Sequence, residues 1–233
     1  MTMSKIFSEH FNLEQALAKT QKTGYAFASG AINPYFCDLL EAEMGRLKLE
    51  EGDHINYPIN AGSSREVRQL HERAYYPIGY ELVPWATQVT ELLVQEVKNV
   101  GLYPELQHWC LTEAGYQRYR DTHDWISPHR DRRNDQLLSA TITISGSALV
   151  RMYEPLADPN DYTKLRSTDE FMTSSGTLLL LRAPGFGNGE QIIHEVLPPQ
   201  IGSRLILNLR MRPDILKTPK EFKDFYMDKS AQK

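Results

Sequence analysis

The sequence contains little cysteine and no long apolar run. Only Cys37 and Cys110 occur in 233 residues, which excludes a disulfide framework and a cysteine-based metal cluster and indicates a reducing cytoplasm. No apolar stretch approaches the roughly 18 residues of a membrane span. The start, MTMSKIFSEHF, also lacks the basic and then apolar pattern of a signal peptide. We therefore expect a cytoplasmic protein without a membrane partner, in which His and carboxylate groups would have to bind any metal.

The sequence also lacks a strong charge of either sign. Its formal net charge is -4 and its pI is near 6.0, so there is no global attraction to nucleic acid, although a local basic strip could still supply one. With 41% hydrophobic and 24% charged residues, the composition is that of a globular protein. The length predicts a single domain over residues 1–233.

Helix signals dominate the first third of the chain. Asn12 stands as a cap before LEQALAKTQKTG, and Asn33-Pro34 stands before YFCDLLEAEMGRLKLEEG. Pro84 opens PWATQVTELLVQEVKNVG, whose apolar positions recur at helical spacing. Residues 53–81 have weak periodicity and read as loops or short strands. Such a segment is usually functional or mobile, and we treat 50–83 as a candidate substrate lid.

From about residue 105 the apolar period changes to two, which is typical of a sandwich or barrel. We predict helical support over 1–104, a β core over 105–212 and a C-terminal tail over 213–233. The short apolar or alternating runs are LQHWCLTE, YQRYR, LLSATITISGS, ALVRMYEPL, GTLLLLRAP, QIIHEV and SRLILNLRMR.

The stretch WISPHRDRRND contains the spacing of a metal site. His129 and Asp131 would project from one face of an extended strand towards the same ion, with Ser127 and Trp125 alongside. Chance alone predicts about one His-x-acid match from 7 histidines and 30 acidic residues. Taken by itself, the pair therefore reads first as a solvated charged turn.

A third candidate ligand is His194, which lies in the short β-like run QIIHEV after the glycine-rich loop APGFGNGE. An isolated histidine on an apolar strand is more often a packed core residue. Two histidines and one carboxylate together leave three positions of an octahedral ion open on one side. This facial arrangement is typical of non-haem Fe(II) oxygenases.

Two arginines on one strand favour the metal hypothesis. In SRLILNLRMR, alternation places Arg204, Ile206, Asn208 and Arg210 on one face, opposite an apolar face. Inside a barrel, two guanidinium groups would need an anion, and they could hold opposite ends of a short dicarboxylate. A dicarboxylate that chelates iron at its keto-acid end is 2-oxoglutarate. Exposure of both arginines on the surface is the alternative.

At these residues the sequence resembles the Fe(II)/2-oxoglutarate-dependent oxygenase superfamily, and within it the AlkB-like branch. Ser127-Pro128-His129-Arg130-Asp131 is similar to that branch's Ser-x-His-x-Asp motif, and SRLILNLRMR resembles its Arg-x-Asn-x-Thr-x-Arg strand. The resemblance implies an α+β, mainly β chain with a double-stranded β-helix (jelly-roll) core and N-terminal flanking helices. It implies Fe(II), 2-oxoglutarate and O2 at a site whose metal ligands are His129, Asp131 and His194. The co-substrate contacts would be Arg204, Arg210, Gln117, Tyr119 and Asn208.

The departures from the branch bear on the substrate. Ile206 and Asn208 stand where Asn and Thr are usual, and Arg133 stands where nucleobase dealkylases tend to carry an acidic base-reading residue. A cation there would sooner meet an anionic substrate. We therefore expect a dioxygenase that hydroxylates, or oxidatively dealkylates, a small-molecule or amino-acid-like substrate and releases succinate and CO2. The candidate substrate contacts are Arg133, Trp125, Tyr75 and Tyr76.

Two other functions stay open. An AlkB-type dealkylase of alkylated nucleic acid would use Arg65, Arg68, His71 and Arg73 as phosphate contacts and Tyr75 and Tyr76 for stacking. These arginines could equally form a solvated face over core tyrosines. A non-catalytic β-barrel binding module with structural histidines would neither hold stoichiometric iron nor turn over 2-oxoglutarate. The oxidised carbon and the oligomeric state are open as well.

Overall fold

The computed structural model describes residues 5–51, 57–58, 66–156 and 161–213. Within these residues lie the helices α1 (Leu13–Thr23), α2 (Pro34–Met44) and α3 (Pro84–Val100). The predicted cap residues begin the first two, since Asn12 accepts a hydrogen bond from the Gln15 amide and Asn33 accepts one from the Tyr35 amide. None of the helices in the described ranges is long and apolar enough to cross a bilayer.

The strands in the described ranges form two large antiparallel sheets. One has the order β1-β12-β9-β14-β7-β6-β2, the other has the order β11-β10-β13-β8-β5, and β3 pairs with β4. The bounds are β1 Tyr25–Ala28, β2 Glu50–Glu51, β3 Tyr57–Pro58, β4 Glu66–Val67, β5 Gln69–Leu70, β6 Glu72–Pro77, β7 Glu113–Tyr119, β8 Trp125–His129, β9 Leu138–Ser145, β10 Leu149–Tyr153, β11 Ser167–Met172, β12 Leu178–Arg182, β13 Ile193–Val196 and β14 Arg204–Arg210.

The larger sheet contributes apolar side chains to two clusters, one on each of its faces. Leu178 and Leu180 of β12 pack in one cluster with residues of all three helices, whereas Leu179 and Leu181 pack in another cluster with residues of the smaller sheet. Successive side chains of β12 thus point alternately towards the helices and towards the smaller sheet. Burying each such side chain contributes about 1.5–3 kcal/mol. The helices therefore cover one face of the larger sheet, and the smaller sheet covers the other.

Several element bounds differ from the sequence prediction. α2 ends at Met44, with Gly45 as its cap, and Glu50–Glu51 pairs with β6 as β2 instead of continuing the helix. The predicted strand LQHWCLTE begins as a 3-10 helix, Pro104–His108. β1 and β6, both from the part predicted to be helical support, belong to the larger sheet. Pairing with distant strands overrides local propensity at these places.

Candidate active site

The predicted metal ligands converge between the two sheets. β8 and β13 are antiparallel neighbours, and His129 lies directly opposite His194 in their register. Asp131 follows two residues after His129, and the three side chains each offer a ligand atom within 4.8 Å of the others. It is the one group of three or more His, Cys, Asp or Glu side chains with this geometry in the described part of the chain.

A bulge in β8 sets the direction of His129. From His194 to Val196, β13 advances by two residues, while β8 runs from His129 to Ile126, which is one residue more. The extra residue breaks the alternation of side chains, so Ile126 and His129 both line the cavity between the sheets. Trp125, which the simple alternation placed alongside His129, is not among the lining residues.

Both histidines have the tautomer that a metal ligand needs. The Nδ1 atom of His129 lies 2.8 Å from the Ser127 carbonyl oxygen, and that of His194 lies 3.4 Å from the Ile192 carbonyl oxygen. A carbonyl only accepts, so Nδ1 carries the proton and Nε2 keeps its lone pair. Burial, helped by His194, lowers the pKa of His129 to about 3, and burial lowers the pKa of His194. Both rings are neutral at pH 7.

Arg210 contacts the carboxylate of Asp131, the third predicted metal ligand. Its guanidinium donates to Asp131 Oδ1 at 3.2 Å and lies 3.4 Å from the Oδ2 atom of buried Asp135. Burial alone would raise the pKa of Asp131, but Arg210 and the two histidines hold it below its usual value. Burial raises the pKa of Asp135 to about 7 in spite of Arg210. Asp131 is therefore the charged carboxylate of this cluster at neutral pH.

Arg204 is a buried cation on the cavity side of β14. It is 1% exposed, its Nη2 donates to Thr143 Oγ1 at 3.2 Å, and its guanidinium lies over the Tyr119 ring. No carboxylate of the described residues pairs with it, and burial lowers its pKa to about 10, which still leaves it protonated at pH 7. An uncompensated buried charge is costly, so the site is built for an anion.

The cavity has a volume of about 470 Å³, the size of a small-molecule site. Its wall between the sheets is apolar where β10, β12 and β13 contribute Val150, Leu179, Leu181 and Val196. The predicted co-substrate contacts line the cavity too, and Gln117 links the hydroxyls of Tyr119 and Tyr75. The predicted site residues in the lining are Gln117, Tyr119, His129, Asp131, His194, Arg204, Asn208, Arg210, Tyr75 and Arg133.

The remaining predicted contacts are divided between the core, the cavity and the surface, and Arg73 is one of those that line the cavity. Tyr76 stacks on Tyr80 and packs against the core beneath the helices. His71 is buried inside the cavity and Arg68 is exposed outside its lining, so the predicted row of phosphate contacts does not form one surface. Arg65, the further member of that row, lies outside the described residues, as do residues 52–56 and 59–65 of the candidate lid.

The sequence did not point to Asp135, Gln69 or Thr143, although each contributes to the site. Asp135 follows Asp131 by four residues in an irregular segment, where no periodicity predicts a direction. Gln69 lines the cavity from β5, and Thr143 contacts Arg204 from β9. His71 was predicted as a surface contact and is a cavity residue. Only the pairing of distant strands brings these side chains together.

Unpaired polar atoms show how well the site fits a metal and a dicarboxylate. Within the described residues, buried Asp131 Oδ2, Arg204 Nε, Arg204 Nη1 and Asn208 Oδ1 have no hydrogen-bond partner. Buried polar atoms are normally satisfied, and because these four belong to residues that line the cavity, a ligand bound there would satisfy them. A carboxylate oxygen beside two neutral histidines suits a divalent cation, and guanidinium nitrogens suit a carboxylate. The residues present therefore fit both groups.

Comparison with known proteins supports the fold. No family model and no curated protein matches the sequence. Among solved structures, a Pseudomonas putida prolyl-4-hydroxylase is similar, with 17% identity, a TM-score of 0.55 and coverage of 86% of this chain and 98% of that one. A 2OG-Fe(II) oxygenase family oxidoreductase from Burkholderia pseudomallei has 14% identity, a TM-score of 0.54 and coverage of 87% and 91%.

A third similar structure is a Trichoplax adhaerens prolyl hydroxylase in complex with a hypoxia inducible factor peptide fragment, with 12% identity, a TM-score of 0.53 and coverage of 87% and 90%. At such identities the likeness concerns the fold alone. The predicted fold is confirmed: the chain has the mainly β, jelly-roll type core of 2-oxoglutarate oxygenases with N-terminal helices, in two sheets that do not close. None of the three is described as AlkB-like, so that branch stays a prediction.

Proposed function

We propose that the protein is an Fe(II)- and 2-oxoglutarate-dependent dioxygenase that hydroxylates a C–H bond of a small-molecule or amino-acid-like substrate and releases succinate and CO2. One observation carries the proposal. The facial set His129, Asp131 and His194 opens into the same cavity as Arg204, a buried cation whose Nε and Nη1 atoms have no partner among the described residues. A metal set and an anion site in one small cavity match a keto acid bound to iron.

The chain's own groups divide the work of binding the metal. His129 and His194 would ligate through Nε2, because their Nδ1 protons are held by carbonyls, and Asp131 would ligate through Oδ2, because Arg210 holds Oδ1. Three positions would remain for the co-substrate, O2 or water. When bound, Fe(II) with 2-oxoglutarate and O2 supplies the oxidising chemistry, and the protein supplies orientation and a dry pocket.

The two arginines of β14 have different parts in the proposal. Arg204 binds the far carboxylate of 2-oxoglutarate, since its fork is charged and free to donate. Arg210 already has Asp131 and Asp135 as partners, so it orients and charges the metal-binding carboxylate. Gln117, Tyr119 and Asn208 line the same cavity and are the further co-substrate contacts. Tyr119 also fixes the Arg204 side chain through its ring face.

Turnover of 2-oxoglutarate tests the proposal directly. Purified protein with Fe(II), O2 and 2-oxoglutarate should form succinate even without the physiological substrate, at a low rate that chelation of iron abolishes. His129→Ala should lower that rate by about a hundredfold or more, because a two-ligand site holds metal weakly. His123→Ala, at an exposed histidine outside the cavity lining, is the matched control. Succinate formation that survives His129→Ala would contradict the proposal, and no formation in wild type would favour the binding module.

A further inference from the structure

One wall of the cavity is a continuous polar face. Residues 69–75 run from β5, at the edge of the smaller sheet, into β6 of the larger sheet. The odd-numbered side chains of this segment line the cavity and the even-numbered ones do not, as extended chain requires. The wall consists of an amide, an imidazole, a guanidinium and a phenol, from Gln69, His71, Arg73 and Tyr75.

His71 is the deepest polar group of this wall. It is 1% exposed and stacks on Tyr119, and both of its ring nitrogens are buried without a hydrogen-bond partner in the described ranges. Burial, helped by Arg73, lowers the pKa of His71 to about 3, so the ring is neutral. A neutral imidazole offers one donor and one acceptor. A ligand in the cavity is the partner that would satisfy it.

Tyr75 forms the centre of the outer part of the wall. Its ring lies directly on the β7 backbone, because a Cβ atom on Gly115 would come within 2.6 Å of it. Two guanidinium groups flank the ring, that of Arg73 at 5.8 Å and that of Arg132 at 5.9 Å from its centre. The ring therefore holds two cations near one point of the cavity lining.

These two cations have no acidic salt-bridge partner among the described residues, although burial raises the pKa of Asp135 and Arg132 opposes that rise. In the described ranges no carboxylate forms a salt bridge with Arg73 or Arg132, whereas Arg130 pairs with Glu190 and Arg210 pairs with Asp131. The cavity lining is thus locally basic although the chain has a net charge of -4. Clefts with one sign of charge attract and concentrate ligands of the opposite sign.

We propose that the substrate is a small molecule with a carboxylate or phosphate group, which Arg73 and Arg132 bind beside the Tyr75 ring while His71 and Gln69 contact a polar group deeper in the cavity. This inference rests on the proposed dioxygenase function and names the substrate class of the same site. The small volume of the cavity, about 470 Å³, and its position between the sheets favour a small anion over a nucleic acid strand.

The test uses full-length protein with Zn(II), which His and carboxylate ligands accept and which does not react with O2. A saturating concentration of 2-oxoglutarate fills the co-substrate site at Arg204, so that the probes do not bind there. Saturation-transfer NMR then compares N-acetyl-leucine with its amide and phenyl phosphate with phenol, and a short oligothymidylate serves as the nucleic acid probe. We expect an anion to bind at least about tenfold more tightly than its neutral counterpart. The comparison of N-acetyl-leucine with its amide tests for a carboxylate, and the comparison of phenyl phosphate with phenol tests for a phosphate.

The double variant Arg73→Gln/Arg132→Gln should lose this preference while still binding 2-oxoglutarate. Arg166→Gln, at an exposed arginine outside the cavity lining, is the matched control and should retain it. Equal binding of anion and neutral probe, no binding of any probe, a preference that survives the double variant, or tighter binding of the oligonucleotide would each overturn the proposal. If 2-oxoglutarate itself does not bind, the proposed function has failed instead.

Discussion

At the scale of single residues, two arginines on the same strand face have opposite electrostatic situations. Arg210 forms salt bridges with Asp131 and Asp135, of which Asp131 carries the charge at neutral pH, whereas Arg204 has a hydroxyl and an aromatic face but no acid among its described neighbours. Burial without a counter-ion is tolerated where a ligand completes the site. If the proposed function holds, this difference makes Arg204 the residue on which affinity for 2-oxoglutarate should depend.

Arg204→Lys tests that dependence with the charge kept. A lysine cannot form the paired hydrogen bonds of a guanidinium, so the concentration of 2-oxoglutarate for half-maximal binding should rise by about tenfold to a hundredfold. Isothermal titration of the Zn(II)-loaded protein measures it. Arg166→Lys, at the exposed site, should bind as wild type does. Unchanged affinity in Arg204→Lys would place the co-substrate elsewhere.

Because His71 is buried, we expect the stability of the fold to depend on pH. The pKa of His71 is about 3 in the folded protein and about 6.5 in the unfolded chain. Between these two pH values the unfolded state binds a proton at this histidine and the folded state does not. The free energy of unfolding should therefore fall as the pH drops, by about 2 kcal/mol from pH 7.5 to pH 5 for this group. His71→Gln should remove that part of the loss, as urea unfolding at both pH values would show.

His123→Gln is the control for this measurement, since it removes a histidine at an exposed position. An identical pH dependence in wild type and His71→Gln would mean that the imidazole is protonated in the fold or finds a partner there.

The sequence pointed to the three side chains that meet in the candidate metal site because they lie close together or stand out. His129 and Asp131 are two residues apart, and His194 lies on an apolar run. Arg204 and Arg210 stood out because charge alternated with apolar residues along one strand. Gln69 and Asp135 could not be predicted in this way, since the pairing of β5 with β8 and the irregular chain after Asp131 place them in the site. Side chains brought together by distant pairing leave no local pattern.

At the scale of elements, a buried carboxylate joins two helices. α3 has no side-chain cap of its own, because Val83 precedes it. Glu43 of α2 supplies the cap instead, by accepting from the Trp85 amide at 2.7 Å and the Ala86 amide at 3.0 Å, and it also accepts from the Tyr116 hydroxyl. The negative charge at the helix N-terminus is favourable as well.

Glu43→Ala should lower the free energy of unfolding by about 2–4 kcal/mol, because two amides and a phenol lose their buried acceptor. Glu41→Ala on the same helix loses an exposed contact with Ser145 and should cost about 0.5 kcal/mol. Urea unfolding of both variants gives the comparison. Equal losses would show that the cap adds nothing beyond ordinary helix contacts.

Other element bounds could not be predicted from local sequence. The helix prediction for LKLEEG was wrong because Glu50–Glu51 gains pairing with β6. The bulge in β8 contains Pro128, a residue that strands accept mainly at edges and bulges. Simple alternation ignores this signal and therefore places Trp125, which is not in the cavity lining, beside His129. The sequence showed the glycine-rich loop before His194 but not the side chain that holds it in place. Arg182 donates hydrogen bonds to the carbonyls of Gln21 and Glu190 and so connects the loop to the end of α1.

At the scale of the whole molecule, the change of apolar period predicted a sandwich or barrel, because strands with one buried face repeat every two residues. The jelly-roll type of core was implied by the resemblance to the oxygenase superfamily. The share of the N-terminal third in that core was missed. β1 and β6 add to opposite parts of the larger sheet, and β5 adds to the smaller one. These strands are short, and short runs carry little periodicity. The wall of the cavity proposed to bind substrate comes from residues 69–75, in a segment that was predicted to form loops or short strands but was not placed in the core.

Ligand binding should stabilise the whole fold, since the metal site joins two strands and exists only in the folded chain. Zn(II) with 2-oxoglutarate at a hundred times the dissociation constant should add about 2.7 kcal/mol, which raises the Tm by about 5–10 °C. Thermal unfolding measures the shift. His194→Ala should show none and His123→Ala the full shift. A shift of equal size in His194→Ala would mean that metal binds elsewhere.

The most direct test of the central claim is an anaerobic titration of the apo-protein with Fe(II) and 2-oxoglutarate, followed by the weak visible charge-transfer absorption of the chelate. The account predicts a band in wild type that is absent in His129→Ala and that needs far more 2-oxoglutarate in Arg204→Ala. Absence of the band in folded wild-type protein would contradict the account, and His129, Asp131 and His194 would then be a buried polar cluster that holds no iron.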